Sequence, residues 1–350
     1  MADSRIDGVR LAGIAMAVPA NVRTFEDDVE AFGEEDARKI SAATGVRSRR
    51  VAGIGLCTSD LCAAAADRLL NDLDWDRGSL DALVFVSQTP DHVLPSTSCL
   101  LQARLNLPKR CAAFDVNLGC SGYVYGLWIV SSLLAAGGVR RALLLVGDTI
   151  SRLASPLDRS VAPLFGDAGT ATALEWCADA GPIWFNLGTD GAGGEHLIVP
   201  AGGFRRPRTA ETSVRGDGIR SDEDLLMNGA EVFAFTLREV QPMVKSVLSA
   251  AGATADEVDA FVFHQANSFM LKHLARRMRL PENKVVLALE DYGNTSSASI
   301  PLTLTHVLSG RLKTESLLLA LAGFGVGFSW GAAVLRCGPM VMSERVDVSC

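Results

Sequence analysis

The stretch FDVNLGCSGYVYG, residues 114–126, decides how this chain is read. A largely apolar run of strand length, residues 112–116, leads into a short turn. An apolar helical pattern follows and stops at Gly137-Gly138. Cys120 therefore stands where a strand turns directly into a helix. A thiol there feels the positive end of the helix dipole, which predicts a lowered pKa and a larger thiolate fraction. Gly119 and Gly122 carry no side chains and leave room for a substrate to approach.

The strand-then-helix pattern recurs along the chain. Residues 82–87 (ALVFVS), 142–146 (ALLLV), 260–263 (AFVF), 285–289 (VVLAL) and 317–321 (LLLAL) read as strands buried on both faces. Residues 57–73, 96–107, 224–251 and 268–280 read as helices, with Ser96 and Ser268 as expected caps. Such alternation predicts an α/β protein of βαβ units. One series precedes residue 180 and one follows it, so two similar halves are expected, 1–180 and 181–350. Residues 188–221 are rich in Gly, Pro and Arg and read as a long surface loop. The glycines at 191–194 lack dinucleotide-binding spacing.

Composition narrows the classes. The 350 residues carry a net charge of −7, with 48% apolar and 21% charged residues, which predicts a large core and argues against a nucleic-acid binder. The start MADSRIDGVR is polar, and the apolar stretch 123–138 is too short to span a bilayer. The expectation is a cytoplasmic protein without a membrane segment. None of the eight cysteines forms a C-x-x-C pair or sits near histidines at zinc spacing, so no metal is expected. Seven of them read as small buried hydrophobes.

Two more residues share the setting of Cys120. His264 ends the run AFVF and begins HQAN; Asn294 lies in YGNTSSAS, just ahead of another helical pattern. All three occupy strand-to-helix junctions, where α/β proteins bind ligands. The order Cys, His, Asn fits a papain-like hydrolase or carbon–carbon bond formation on thioesters. The context G-C-S-G-Y, deep in an α/β half, disfavours the hydrolase.

These residues carry a resemblance. TGVRSRR (44–50), FDVNLGCSGY (114–123), LFGDAGTATAL (164–174), HQAN (264–267), GNTSSASIPL (293–302) and GFGVGFSWGAAVLR (323–336) resemble β-ketoacyl-acyl-carrier-protein synthase III of the thiolase superfamily. The resemblance spans nearly the whole chain. It implies a thiolase-like five-layered αβαβα fold of two similar halves, usually a homodimer, with no cofactor beyond acyl-coenzyme A or acyl-carrier donors and malonyl-acyl carrier protein as substrates. It implies that Cys120 takes up an acyl group and that the backbone N–H groups of Cys120 and Val326 form an oxyanion hole. His264 and Asn294 then hold the malonyl thioester carbonyl while CO2 leaves. Alternatives are acyl transfer to a non-malonyl nucleophile, or a non-catalytic partner subunit.

Some positions depart from the family pattern. Lys39 and Ala43 stand where a Trp and an Arg commonly hold coenzyme A, and Phe269 stands where an Arg meets the carrier protein. Lys272, Arg276 and Arg277 remain as a basic patch for that acidic partner. Leu94 replaces the usual Phe at the acyl-pocket gate, and Val326 replaces a Gly, which would alter the oxyanion hole if that position needed positive φ. The loop 201–220 carries five arginines, of which Arg205, Arg206 and Arg208 are candidate phosphate contacts. These departures point to a specialised acyl chain rather than acetyl priming.

Overall fold

A computed structural model describes residues 2–349; Cys350 lies outside them. Two sheets form the frame. The first runs Val341–Met342, Val9–Pro19, Ala168–Trp176, Arg141–Asp148, Ala82–Val86, Ala112–Val116, with Val346–Val348 also pairing with Val9–Pro19. The second runs Ala2–Ile6, Ile183–Thr189, Ser329–Cys337, Leu317–Gly325, Ala260–Phe263.

The core of each sheet has the same connectivity. In the first, Ala112–Val116 and Arg141–Asp148 lie parallel to Ala82–Val86 on either side; Ala168–Trp176 and Val9–Pro19 then add antiparallel. In the second, Leu317–Gly325 lies parallel to Ala260–Phe263, and Ser329–Cys337 and Ile183–Thr189 add antiparallel. The chain termini cross between halves: the first strand joins the second sheet and the last strands join the first.

One difference from the sequence reading concerns residues 285–289. They are not a strand. A single parallel bridge joins Phe261 to Val285, in the position that Ala112–Val116 fills in the other half. The short helix Leu289–Tyr292 begins immediately afterwards. The apolar run is explained by helical and loop packing, since Leu289 is in the core and Val285 packs against it.

Helices complete five layers. Thr58–Asp72 covers the outer face of the first sheet with its alanines and leucines. Gly229–Ala250 and Ser268–Met278 cover the outer face of the second. Gly122–Ala135 and Ser299–Val307 lie between the sheets, where one apolar cluster draws on both. A helix between two sheets must be apolar on most of its surface, which explains why Gly122–Ala135 lacks a polar face. This arrangement is a thiolase fold. No helix among the described residues is long and apolar enough to cross a membrane.

Candidate active site

The strand ends bring the three chemical residues together. Cys120 precedes the helix Gly122–Ala135, His264 follows the strand Ala260–Phe263, and Asn294 follows the bridge at Val285. All three are buried and line one cavity of about 100 Å³. Its walls are mostly apolar, including Ile150, Leu164, Phe165, Met227, Met270 and Phe324. Apolar walls exclude water and strengthen every polar contact made inside.

Close backbone approach sets the thiol in place. A Cβ at Gly325 would stand 2.7 Å from Cys120 Sγ, so only glycine lets that strand end reach the sulfur. The backbone N–H of the next residue, Val326, acts on the thiol in the direction that favours its ionised form. Val326 is not in the left-handed region; positive φ falls on Gly325 and Gly327 on either side. The valine therefore costs no backbone strain, and the N–H keeps its aim.

The thiol itself departs from expectation. Burial pushes Cys120 up to about 11, opposed by the Val326 N–H and reinforced by the carboxylate of Asp148. The helix begins only at Gly122, with Ser121 as its N-cap, so Cys120 sits two residues ahead of the first turn. The dipole falls off within that distance, and desolvation wins. At neutral pH the resting residue is a neutral thiol. Alkylation of Cys120 by iodoacetamide is therefore expected to be slow at pH 7 and to rise about tenfold per pH unit towards pH 10. A plateau reached by pH 8 would show a depressed pKa instead.

His264 is also held neutral. Burial pushes its imidazole down to about 3. Nδ1 lies 2.8 Å from the hydroxyl of Ser299, and the ring stands edge-on to Phe324 at 5.8 Å. When the hydroxyl donates to Nδ1, Nε2 carries the proton. Asn294 is oriented from both sides. Its Oδ1 accepts the N–H of Ser296 at 2.9 Å, while Nδ2 donates weakly to the carbonyl of Ala266 at 3.4 Å. Its backbone is fixed to Leu164 and Gly166, which explains the role of the LFGDAG motif.

Sequence reasoning missed the support beneath these groups. Asp148, fully buried at a strand end, accepts the backbone N–H of Gln88 at 2.7 Å and the Ser297 hydroxyl at 2.6 Å. It ties the first half to the GNTSSAS segment. Ser296 holds φ +50°, a strained value for a non-glycine residue, between Asp148 and Cys120. The Ser-rich run was the available signal. Asn267, not Ser268, caps the helix Ser268–Met278, its Oδ1 accepting the N–H of Met270 at 2.7 Å.

The remaining sequence candidates lie outside the cavity. Leu94 is 79% exposed on the loop after Ala82–Val86. Lys272, Arg276 and Arg277 are exposed on the helix Ser268–Met278, and Lys272 also lines a separate surface hollow with Arg38 and Arg47. Phe269, 56% exposed, packs against Phe233. Lys39 is ion-paired with Glu35 at 2.6 Å. Arg205, Arg206 and Arg208 are exposed; Arg206 pairs with Asp222 at 2.5 Å and Arg208 with Glu223 at 3.4 Å. Their loop connects Leu197–Ile198 to Leu226–Met227, a two-stranded hairpin whose residues Leu197 and Met227 line the cavity.

A thiolase fold whose strand ends gather a thiol, a neutral imidazole and a carboxamide under an N–H donor defines a condensing enzyme that works on thioesters. Two family profiles match: 3-oxoacyl-[acyl-carrier-protein (ACP)] synthase III over residues 114–191 and its C-terminal counterpart over residues 248–337. The β-ketoacyl-[acyl-carrier-protein] synthase III of Rhodopirellula baltica is 37% identical, over 95% of this chain and 99% of that protein. The crystal structure of a 3-oxoacyl-(acyl-carrier protein) synthase from Burkholderia xenovorans superposes with a TM-score of 0.95 at 46% identity, covering 99% of each chain. A priming β-ketosynthase from a polyketide biosynthetic pathway superposes at 0.82 with 26% identity, covering 95% of this chain and 97% of that one. The chain belongs to the β-ketoacyl-acyl-carrier-protein synthase III family. It is an acyltransferase-type condensing enzyme of fatty acid biosynthesis, of a family that acts on acyl carrier protein substrates.

Proposed function

We propose that Cys120, His264 and Asn294 divide the reaction between them. The Cys120 sulfur attacks the carbonyl of an acyl thioester donor, an acyl-coenzyme A or acyl-carrier protein. The thiol proton leaves with the departing sulfur, giving acyl-Cys120 and a free thiol. The N–H groups of Cys120 and Val326 stabilise the oxyanion in between. Malonyl-carrier protein then enters, with its thioester oxygen held by His264 Nε2–H and Asn294 Nδ2–H. Its C–CO2 bond breaks, and the electron pair becomes an enolate. The enolate carbon attacks the acyl carbonyl and expels the Cys120 thiolate, which regains a proton from water. The product is a β-ketoacyl-carrier protein. No step calls for a cofactor or metal.

The observation that carries this reading is the convergence of the three residues in one mostly apolar cavity. Two neutral donors suit a charge that develops on oxygen. The test mixes donor thioester, malonyl-carrier protein and enzyme, and follows CO2 and β-ketoacyl product together. Equal yields support condensation. Ester or amide product without CO2 would establish simple acyl transfer instead.

The exposed cations of the helix Ser268–Met278 supply the docking face for the acidic carrier protein. Reversing Lys272 and Arg276 to Glu is expected to raise KM for malonyl-carrier protein about tenfold, less at high salt, with kcat little changed. Unchanged KM at low salt would remove them from the docking face. In the loop 201–220, Arg205 makes no ion pair among the described residues, so phosphate contact falls to it before Arg206 and Arg208. Leu94 reaches a partner's cavity in a homodimer of the kind the family resemblance implies.

A further inference from the structure

Of the three carboxamides that line the cavity, one makes no hydrogen bond among the described residues. Thr236 donates to the carbonyl of Val232, His264 meets Ser299, Asn267 caps its helix and Asn294 is held by Ser296. Gln88 differs. It lines the cavity half-buried, and its backbone N–H is fixed by Asp148, yet among the described residues its carboxamide makes no hydrogen bond. The carboxamide lies over the residue that precedes the nucleophile. A Cβ at Gly119 would fall 1.6 Å from Gln88 Oε1 and 2.6 Å from Val326 Cγ1. Gln88 and Val326 thus close the wall beside Cys120.

The position is informative in the two-half comparison. Gln88 follows the end of Ala82–Val86, the strand that corresponds to Ala260–Phe263, after which His264 and Gln265 come. Gln265 spends its carboxamide on the protein: Nε2 donates to the carbonyl of Phe263 at 2.8 Å, and Oε1 accepts the N–H of Ala288 at 2.8 Å. Gln88 leaves both its donor and its acceptor to the cavity.

We propose that Gln88 is a specificity-determining residue, and that the acyl group carried by Cys120 bears an oxygen on its second or third carbon that pairs with the Gln88 carboxamide. This rests on the assignment of Cys120 as the acyl carrier. The half-buried amide is open to water in the free enzyme, and a plain alkyl chain that displaces this water leaves it unpaired, which penalises such a chain. A hydroxyl both donates to Oε1 and accepts from Nε2, restoring the pairing. Sites that hydrogen-bond a substrate group reject analogues lacking it far better than apolar pockets reject added groups.

The test measures single-turnover mass gain at Cys120 with butyryl-, 2-hydroxybutyryl- and 3-hydroxybutyryl-coenzyme A. The expected result is that one hydroxylated donor reacts about tenfold faster than butyryl. In Gln88→Met, similar in size but without the carboxamide, that ratio falls to about one. Gln88→Leu provides a second variant, and the ratio is internal to each sample, so a general loss of activity does not affect it. A wild-type ratio of one or below overturns the proposal, as does a ratio unchanged in both variants. Acylation by other donors but by none of these three overturns it alone. No acylation by any donor overturns it together with the assignment of Cys120.

Discussion

Replacing His264 with Ala is expected to stop condensation while leaving Cys120 able to take up an acyl group. The rate of β-ketoacyl formation should fall by about 10²–10³-fold, the usual loss when one preorganised donor to a developing oxyanion is removed. Asn294→Ala should behave alike. Neither residue takes part in the first half-reaction as drawn above, so acylation of Cys120 is the internal control. The charge state of His264 sharpens the expectation. Because burial holds the imidazole neutral down to about 3, it stays unprotonated as the pH falls from 8 to 5. The decarboxylation step should therefore show no acid limb near 6.5, the ordinary imidazole range. Single-turnover CO2 release from the acyl-enzyme at a series of pH values checks this. Loss of acylation in His264→Ala would assign the histidine a role as base on Cys120, and an acid limb near 6.5 would show that it titrates in the ordinary imidazole range.

Cys120→Ala is expected to uncouple the reaction. With no acyl acceptor, β-ketoacyl product should drop to background. His264 and Asn294 remain in place, so malonyl-carrier protein should still lose CO2 and leave its acetyl form. The cavity should tolerate the change, since the Cys120 side chain is small and Gly325 faces it without a Cβ of its own. Quantifying CO2 beside product by mass spectrometry distinguishes the two steps. Loss of both together would mean that the thiol also supports decarboxylation.

The frame was legible wherever burial was uniform. Continuous apolar runs such as 82–86 and 142–146 read as central strands, and they pair in parallel at the centre of the first sheet. The run 285–289 misled because short apolar segments read alike in strands and in buried loops. The crossing of the terminal strands had no local signal at all; it depends on pairing across the whole chain. At the site, the three chemical residues were readable from their junctions and motifs. The state of Cys120 was not. Sequence shows the helix that follows but not that it starts two residues later, nor that desolvation beside Asp148 outweighs its dipole. Asp148 itself lies two residues beyond the run 142–146 that reads as strand, and Gln88 one residue beyond the run 82–87. Their importance comes from what they face.

The account's central claim is that Cys120 carries the acyl group. Intact-protein mass spectrometry after incubation with a panel of acyl-coenzyme A thioesters tests it most directly. The predicted result is a mass gain equal to one acyl group in the wild type, retained in His264→Ala and Asn294→Ala and absent in Cys120→Ala. A gain that persists in Cys120→Ala, or none in the wild type with any donor, would contradict it.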